Sequence, residues 1–553
     1  MDHPPVSLTK THASPSRDSA HAQRRLRADA RRDLEFRDTI VHDVLVDARH
    51  RVAPSYGFDL ADLAAHAWHY WCLDTMREVL TVLVLVGGVA WCPSAALLAI
   101  GALVLIGCGA KAARHAPIVL RDRIATWWAT LFHRHKTYGE LETDNRLKES
   151  SQWLKINLAG CGSATALVVA DILTTAPHGG SAIIESAFLL SALTLVSAIP
   201  EIVDHYRPGR FGFGARRRLR AIEKQQEHPV VVLRRPRKKD DETRYIEEDA
   251  PSRRFFRGAG ELVHRWQPPL TIQLFHVDRP SGLPEMRREF VEPPFSAHQL
   301  VEHLRKEMKL IGRFGDPTRL PGYYVADRVF IAEEDLRPGI ELPAKATDLD
   351  IIHRIIDDPH SPAQHFLEMR TTPNGEVVTT VFLRVTLKAR SLSLEFTACA
   401  LTRLRGEERP RLPPLVHSFL CLPEDLLRSY RLIKVPATLI RMARASRDRS
   451  TDPVSGTECA TRTSIREERA VDWELATFDK PSILGHMKII ERRLLTATED
   501  FLRKHDVDTS RFDERAEMIV NAAVLNMGQM EINGSAVGNN AVVNSNTIAA
   551  QGA

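Results

Sequence analysis

The densest group of side chains capable of ligand or proton-transfer chemistry lies in IIHRIIDDPHSPAQH, residues 351–365. It contains three histidines and two aspartates: His353, Asp357, Asp358, His360 and His365. Imidazoles and carboxylates are common zinc ligands, but their spacing here matches no recognised metal site. We therefore predict a charged turn at this position, not a metal centre.

The sequence lacks the short motifs that mark common catalytic and phosphate-binding sites. It contains no G-x-S-x-G, no G-x-x-x-x-G-K-S/T, no H-E-x-x-H and no G-x-G-x-x-G. The seven cysteines are scattered and include no C-x-x-C pair, which argues against a zinc site and a disulfide framework. The sequence thus assigns no catalytic residue, no metal ligand and no cofactor, and it does not favour an enzyme.

Composition limits the remaining classes of function. The chain has 553 residues, of which 44% are hydrophobic, so it can build sizeable cores in roughly three domains. A formal net charge of +5 is small for this length, and nucleic acid is not an expected partner. Arginine is much commoner than lysine, which points weakly to a bacterial, GC-rich genome.

The longest uncharged stretch before the C-terminus is 79–110, and it predicts a first membrane hairpin. A straight helix of that length would measure about 48 Å, whereas a hydrocarbon core is about 30 Å thick. Gly87, Gly88 and Pro93 lie near the middle of the stretch, where a proline can end one helix or begin the next. We therefore expect two short spans here.

A second membrane hairpin is predicted at 156–200, with a turn at residues 178–180. Lysine and arginine are concentrated before residue 79, in the connection 111–155 and after residue 200, and the turns contain none. The positive-inside rule then places both termini in the cytosol and the protein in the cytoplasmic membrane, with the lipid bilayer as a partner.

Asp171 and Glu185 are the only acidic or basic side chains within the two spans of the second predicted hairpin. An intramembrane carboxylate is by default a functional-site hypothesis, because burying its charge in lipid is costly. Both residues lie towards the outer turn, where water can solvate them. They are the residues on which a transporter or channel interpretation depends.

The region 255–444 is predicted to form a cytosolic α+β domain. Within it, 366–404 alternates apolar and polar residues on both sides of short turns, which predicts an antiparallel meander. Residues 296–312 are predicted to be helical, because Ser296 and Gln299 have the spacing of a capping box.

A helical pair is predicted at 481–527. Its first helix places apolar residues at alternating steps of four and three: Ile483, Met487, Ile490, Leu494, Ala497 and Phe501. This seam is too short for a stable free coiled coil, so we expect it to pack on the next helix, which begins at Ser510.

The tail, 528–553, has no proline and no charge after Glu531, but is rich in valine, asparagine and glycine. Such segments favour cross-β stacking, because asparagine amides can form ladders and no like charges repel. NGSAVGNNAVVNSNT resembles bacterial amyloid signalling motifs of the RIP-homotypic-interaction type, although it has Ala536 where the pattern has Gln. The resemblance implies self-assembly through six residues: Val537, Gly538, Asn540, Val542, Val543 and Asn544. The alternative is an ordinary disordered tail.

The expected fold is an α-helical membrane region of four spans in two hairpins, a cytosolic α+β domain, a helical pair and a flexible tail. The expected segments are 1–78, 79–110, 111–155, 156–200, 201–254, 255–444, 445–480, 481–527 and 528–553. The preferred function is a multi-pass membrane signalling effector that associates with itself, or with a partner carrying a matching motif. The alternatives are a transporter or channel subunit and a membrane-tethered ligand-binding or enzyme domain.

Overall fold

The structure is a computed structural model of the chain. It describes residues 19–47, 51–105, 108–109, eight single positions between 152 and 169, 179–206, 215–233, 256–277, 289–290, 292–337, 339–373, 375–405, 429–447 and 461–525. The helices are α1 Ser19–Arg32, α2 Leu34–Thr39, α3 Leu60–Trp91, α4 Gly179–Tyr206, α5 Arg216–Glu227, α6 Ala297–Leu310, α7 Leu349–Asp357, α8 Val435–Arg447, α9 Ile465–Arg469, α10 Lys480–Lys504 and α11 Ser510–Leu525. The strands are β1 Arg51–Val52, β2 Val230–Leu233, β3 Glu261–Arg265, β4 Leu270–Gln273, β5 Tyr324–Ala332, β6 Gln364–Thr371, β7 Val378–Lys388, β8 Ser391–Leu401 and β9 Thr461–Thr463.

The helices α1, α2, α5, α8 and the first half of α3 share one apolar core, and we call them the N-terminal helical unit. A π-helical turn, Ile40–Val46, continues α2 and contributes several buried side chains to this core. Asp33 caps α2 by accepting hydrogen bonds from the backbone N–H groups of Glu35 and Phe36. Trp68 and Trp71 stack in the same core, with 4.9 Å between their ring centroids.

Seven strands form one mixed sheet in the order β2-β5-β6-β7-β8-β3, with β4 also pairing with β8. β2 is parallel to β5, and the other pairs are antiparallel. The strands β6, β7 and β8 follow one another as a meander, which confirms the pattern expected between 366 and 404. A second, two-stranded sheet pairs β1 with β9 in parallel.

One face of the large sheet is covered by α6, α7, α10 and α11, and we call it the helical face. Ser296 and Gln299 form the predicted capping box at the start of α6. Helix α10 lies against α6 and β7, and all six residues of its predicted seam are buried. The seam therefore packs on the sheet and mainly on α6, where α11 was the expected partner, because a sheet face needs an apolar cover.

The opposite face is covered by residues 53–58 and the turn 256–260, and we call it the loop face. Tyr56 and Phe256 pack there against three phenylalanines of the sheet, Phe330, Phe366 and Phe382. Phe256 stacks on Phe382 with 4.0 Å between ring centroids. Residues 53–58, which precede every strand of the large sheet in sequence, thus complete the core on its second face.

The prediction of four membrane spans is wrong. Among the residues that the structure describes, no helix combines the length and the apolar character needed to cross a membrane. The multi-pass function, the cytoplasmic-membrane location and the membrane-based alternatives depended on those spans, and they are wrong for the same reason. Most of residues 156–177 lie outside the described residues.

The apolar run that predicted the first hairpin is the second half of a longer helix. Helix α3 begins at Leu60, and the part that precedes the apolar run ends in Arg77 and Glu78, which are both buried. Part of the apolar run packs inside the protein, since Leu85, Leu103 and Leu193 share a small core. A hydropathy window counts apolar residues without regard to what they contact. It therefore cannot distinguish a helix that spans a membrane from a helix that packs inside the protein.

Candidate functional site

The loop face carries a buried ion pair between neighbouring strands. Arg328 on β5 donates from Nε to Glu368 Oε2 on β6 at 2.6 Å, and from Nη1 to the His228 carbonyl at 3.0 Å. Burial lowers the pKa of Arg328, but the adjacent Glu368 carboxylate outweighs it and the net shift is upward. Arg328 therefore remains a cation.

Tyr56 lies over this pair, with its hydroxyl 3.4 Å from Glu368 Oε2. Burial, and then the negative charge of Glu368, raise the pKa of the Tyr56 phenol well above its usual value. Tyr56 therefore stays protonated at physiological pH. It is a hydrogen-bond donor and a packing residue here, and it is unsuited to proton transfer.

Arg370 lies two residues further along β6 and has a different environment. Its guanidinium carbon is 5.3 Å from the Tyr56 ring centroid and 5.1 Å from that of Tyr324. It makes no hydrogen bond and no ion pair with any described residue. Two aromatic rings thus hold a half-buried guanidinium without a carboxylate partner.

Arg466, the second residue of α9, is 1% exposed. Its Nη2 donates to the Glu376 carbonyl, while Nε and Nη1 have no hydrogen-bond partner among the described residues. Burial lowers the pKa of Arg466 to about 10, partly offset by the Glu376 charge. The side chain is therefore still a cation at neutral pH, with two donors unused.

Two later residues of α9, Glu467 and Arg469, contact two other parts of the chain. Glu467 Oε1 accepts hydrogen bonds from the backbone N–H groups of Gly258 at 2.6 Å and Gly260 at 3.0 Å. Arg469 pairs with Asp33, and its guanidinium carbon is 4.3 Å from the centroid of the Phe36 ring. We call residues 464–469, with these contacts, the junction.

Glu376, just before β7, adds a second connection to the N-terminal helical unit. Its carboxylate accepts from Arg25 at 2.8 Å and lies 2.8 Å from the His21 ring nitrogen, both on α1. Burial alone would raise the pKa of Glu376, but the Arg25 and His21 contacts lower it overall. Charged contacts thus tie α1 to the segment before β7 and the start of α2 to α9.

The helical face holds a separate polar cluster around Asp327. Its Oδ1 accepts from Arg305 at 2.9 Å and lies 2.9 Å from His365 Nε2. Burial raises the pKa of Asp327, but His365 and Arg305 outweigh it and lower the value. In the described part of the chain no hydroxyl or thiol bonds to His365.

Glu491 on α10 is the buried carboxylate of a third cluster. It accepts from Trp266 Nε1 at 2.7 Å and pairs with Lys488, while His264 Nε2 is 3.5 Å away. Burial raises the pKa of Glu491, but these hydrogen bonds outweigh it and lower the value. The arrangement fixes α10 to the strand β3.

The structure separates the histidines of 351–365. Asp357 bonds to His298 on α6, with 2.5 Å between Oδ2 and Nδ1, and His298 stacks on His353. His360 lies in a turn capped by Asp358, whereas His365 faces Asp327. No group of three or more metal-ligating side chains occurs among the described residues.

The other predicted site residues are not brought together by anything that the structure describes. Asp171 and the six self-assembly positions of the tail lie outside the described residues. Glu185 is exposed on α4 and bonds to Cys92, which raises the pKa of that thiol. Exposed apolar residues occur on the same pair of helices, among them Leu83, Trp91 and Phe188.

The comparisons with known proteins recognise about half of the chain. Residues 265–538 match a family model described as an AbeC-like domain. No curated protein and no solved structure matches the chain. The AbeC-like domain includes β4 to β9 and α6 to α11, but β2 and Tyr56 lie before it in sequence. The large sheet and the loop face are therefore completed by residues outside the AbeC-like domain.

Sequence reasoning missed the residues of the loop face. Tyr56 and Glu368 are 312 positions apart, and Arg469 and Asp33 are 436 apart. No local spacing connects such pairs, and single arginines in a strand or a short helix carry no motif. The one available signal was GAG at 258–260, because closely spaced glycines permit a backbone nest for a carboxylate.

Proposed function

We propose that the protein is a regulatory interaction protein in which the N-terminal helical unit and the AbeC-like domain move as one coupled body. The observation that carries this proposal is the junction, where three residues of one short helix contact the backbone just before β7, the glycine turn and the start of α2. A partner that displaces the N-terminal helical unit would change the environment of the sheet.

The charges at the junction support this role. Arg466 is buried beside a carbonyl, and Glu467 is held by two backbone N–H groups. Removing one partner from such a buried charged contact leaves the other poorly solvated, so the contacts are strongly interdependent. A junction of this kind favours all-or-none docking of the N-terminal helical unit on the AbeC-like domain.

Hydrogen–deuterium exchange of the full chain tests this proposal with Arg469→Met, which removes both the Asp33 ion pair and the stacking on Phe36. We expect faster exchange in α1, α2 and the 256–260 turn. The control is Arg405→Met, because Arg405 pairs with Asp472 at 2.8 Å within the AbeC-like domain. Faster exchange restricted to residues adjoining 469, or equal effects of both variants, would exclude coupling through the junction.

A second proposal concerns the tail, which we propose to be a self-association segment of this regulatory protein. Its lack of charge and proline and its valine and asparagine content support β-stacking between copies. Sedimentation of the full chain, of a chain lacking 528–553 and of Asn540→Lys tests it. We expect concentration-dependent assembly only in the first; assembly of all three to the same extent would refute the proposal.

A further inference from the structure

Helix α8 and the 3-10 turn that leads into it carry apolar side chains on an exposed side. The other side of α8 rests on the π-helical turn Ile40–Val46 and on α5. Three residues of α8 are buried there: Thr438, Met442 and Ala445. By contrast, Ile433 is 82% exposed, Ile440 53% and Leu439 47%. Single exposed apolar residues are common, but a group of them marks an interaction surface.

The spacing of these residues places them on one side of the helix. Ile433 is the last residue of the 3-10 turn, and Ile440 follows it by seven residues. Ala437 lies between them, at a step of four and then of three, and Arg444 is four residues beyond Ile440. Such steps return to the same side of a helix. We call Ile433, Ala437, Ile440 and Arg444 the outward row.

Positive charge accompanies the outward row. The segment 429–447 contains five basic residues and no acidic one. Lys434, Arg441 and Arg444 are exposed, and none of the three forms an ion pair with a residue that the structure describes. Lys434 and Arg441 are seven residues apart, so they lie together beside the outward row, and we call them the basic flank.

Few acidic groups come near the basic flank. Asp38 pairs with Arg431 of the 3-10 turn. Burial lowers the pKa of His42, Asp43 raises it, and the charges of the basic flank lower it again. At this point two cations thus stand against one carboxylate, and the flank has an excess of positive charge.

Three kinds of occupant fit this surface poorly. A second copy presenting the same surface would bring like charges together. A nucleic-acid backbone would meet the cations but gains nothing from covering Ile433 and Ile440. A helix in a lipid surface keeps its cations on the polar side, whereas Arg444 lies within the outward row.

We propose that the outward row and the basic flank bind an acidic amphipathic helix of a partner protein. Apolar side chains at steps of three and four residues on that helix would cover Ile433 and Ile440. Its carboxylates would pair with the basic flank and with Arg444. The small side chain of Ala437, in the middle of the row, permits close approach of the two helices.

This inference rests on the regulatory function proposed above, because it names the class of partner. Helix α8 packs on the core of the N-terminal helical unit through Val435 and Met442, so a helix bound to α8 is attached to that unit. The two proposals fail separately. Peptide binding without coupling in hydrogen exchange refutes the regulation alone, whereas coupling without peptide binding refutes the surface alone.

The test is fluorescence anisotropy of a labelled peptide, three Leu-Glu-Ala-Leu-Glu-Glu-Ala heptads long, with the full chain at physiological ionic strength. We expect this peptide to bind at least about tenfold more tightly than a scrambled peptide of the same composition, because only the first buries its leucines on one face. Equal binding of the two peptides would overturn the proposal.

Competition distinguishes the other classes of partner. A DNA duplex and phosphatidylglycerol vesicles are added at the same concentration of negative charge as unlabelled peptide. We expect the peptide to displace the label more effectively than either competitor. Stronger displacement by the duplex would reassign the surface to nucleic acid, stronger displacement by the vesicles would reassign it to lipid, and either result would overturn the proposal.

Variants locate the binding on α8. Ile440→Asn should weaken peptide binding by about tenfold or more, the usual effect of removing an apolar anchor from an interface. The matched control is Met518→Asn, because Met518 is 59% exposed on α11. Equal affinity in these two variants, both with the wild-type circular dichroism, would overturn the proposal.

A second pair of variants tests the charges. Arg441→Gln combined with Arg444→Gln should weaken peptide binding by about 3- to 10-fold, as expected for two exposed ion pairs, and should reduce its salt dependence. The control is Arg515→Gln, which removes an exposed arginine of α11. An unchanged affinity and salt dependence in the double variant would contradict recognition of an acidic helix.

Discussion

At the scale of single residues, three buried carboxylates are held by three kinds of donor. Glu368 is paired with an arginine, Glu467 with backbone N–H groups, and Glu491 with an indole and an ammonium group. Each carboxylate is therefore committed to an internal contact.

Glu491→Gln tests how much its ionised contacts stabilise the fold. The folded-state pKa of Glu491 lies below its ordinary value of 4.5, so its stabilisation is complete above that pH and is lost as the pH falls towards the folded-state pKa. We expect the variant to lose about 1–3 kcal/mol near neutral pH, and the difference from wild type to shrink below about pH 4.5. Urea unfolding at several pH values measures it.

The control for this prediction is Glu517→Gln, which changes an exposed glutamate on α11. Its effect should stay within about 0.5 kcal/mol at every pH. A difference for Glu491→Gln that is constant with pH would mean that its carboxylate does not carry the stabilisation.

Residue types alone could predict little of the candidate site. The histidines at 351–365 are close in sequence and have ligand chemistry, but the fold directs His353 and His365 to different partners. Arg370 and Arg466 carry no local motif. Their environments depend on residues far away in sequence, which only three-dimensional packing reveals.

At the scale of elements, segment 53–58 depends on a glycine. Gly57 has φ of +76°, and a Cβ there would lie 2.9 Å from Val378 Cγ2. We expect Gly57→Ala to cost about 1–3 kcal/mol, because the backbone strain and the overlap add. Chemical denaturation measures the loss.

Gly339→Ala separates the two causes. Gly339 has φ of +100° with nothing within 4 Å of its Cβ position, so an alanine there introduces backbone strain without a steric overlap. We expect it to cost about 1 kcal/mol. If both variants lose the same free energy, the close approach of Val378 contributes nothing.

In helix α10, by contrast, replacing a glycine should stabilise the protein. Gly485 lies inside this helix with open space at its Cβ position. Since glycine weakens a helix interior, Gly485→Ala should raise the free energy of unfolding by about 0.5–1 kcal/mol. A lower thermal midpoint would contradict the packing described for α10.

Elements with strong local signals were predictable. The capping box of α6, the buried seam of α10 and the meander β6–β8 all follow from periodicity and turn chemistry. β2 was not predicted, because it pairs in parallel with β5 across a long sequence separation. The membrane spans were wrong because apolar runs in α3 and α4 were taken without their polar continuation and their packing partners.

At the scale of the whole molecule, the AbeC-like domain at 265–538 does not coincide with a structural boundary. Strand β2 and Tyr56 lie outside it but complete its sheet and its second core. A fragment limited to 265–538 should therefore expose Phe330, Phe366 and Phe382. We expect that fragment to aggregate or to unfold at lower urea concentration than the full chain; equal stability of the two would contradict the shared core.

Native-state hydrogen exchange of the full chain over a series of low urea concentrations tests the central claim, coupling through the junction, most directly. If the N-terminal helical unit and the sheet open together, amides in α1 and α2 will converge on the same opening free energy as those in β6–β8. Arg469→Met should then lower the value for α1 and α2 by about 1–2 kcal/mol and separate the two groups. Two distinct opening free energies in the wild type, both unchanged by Arg469→Met, would contradict it.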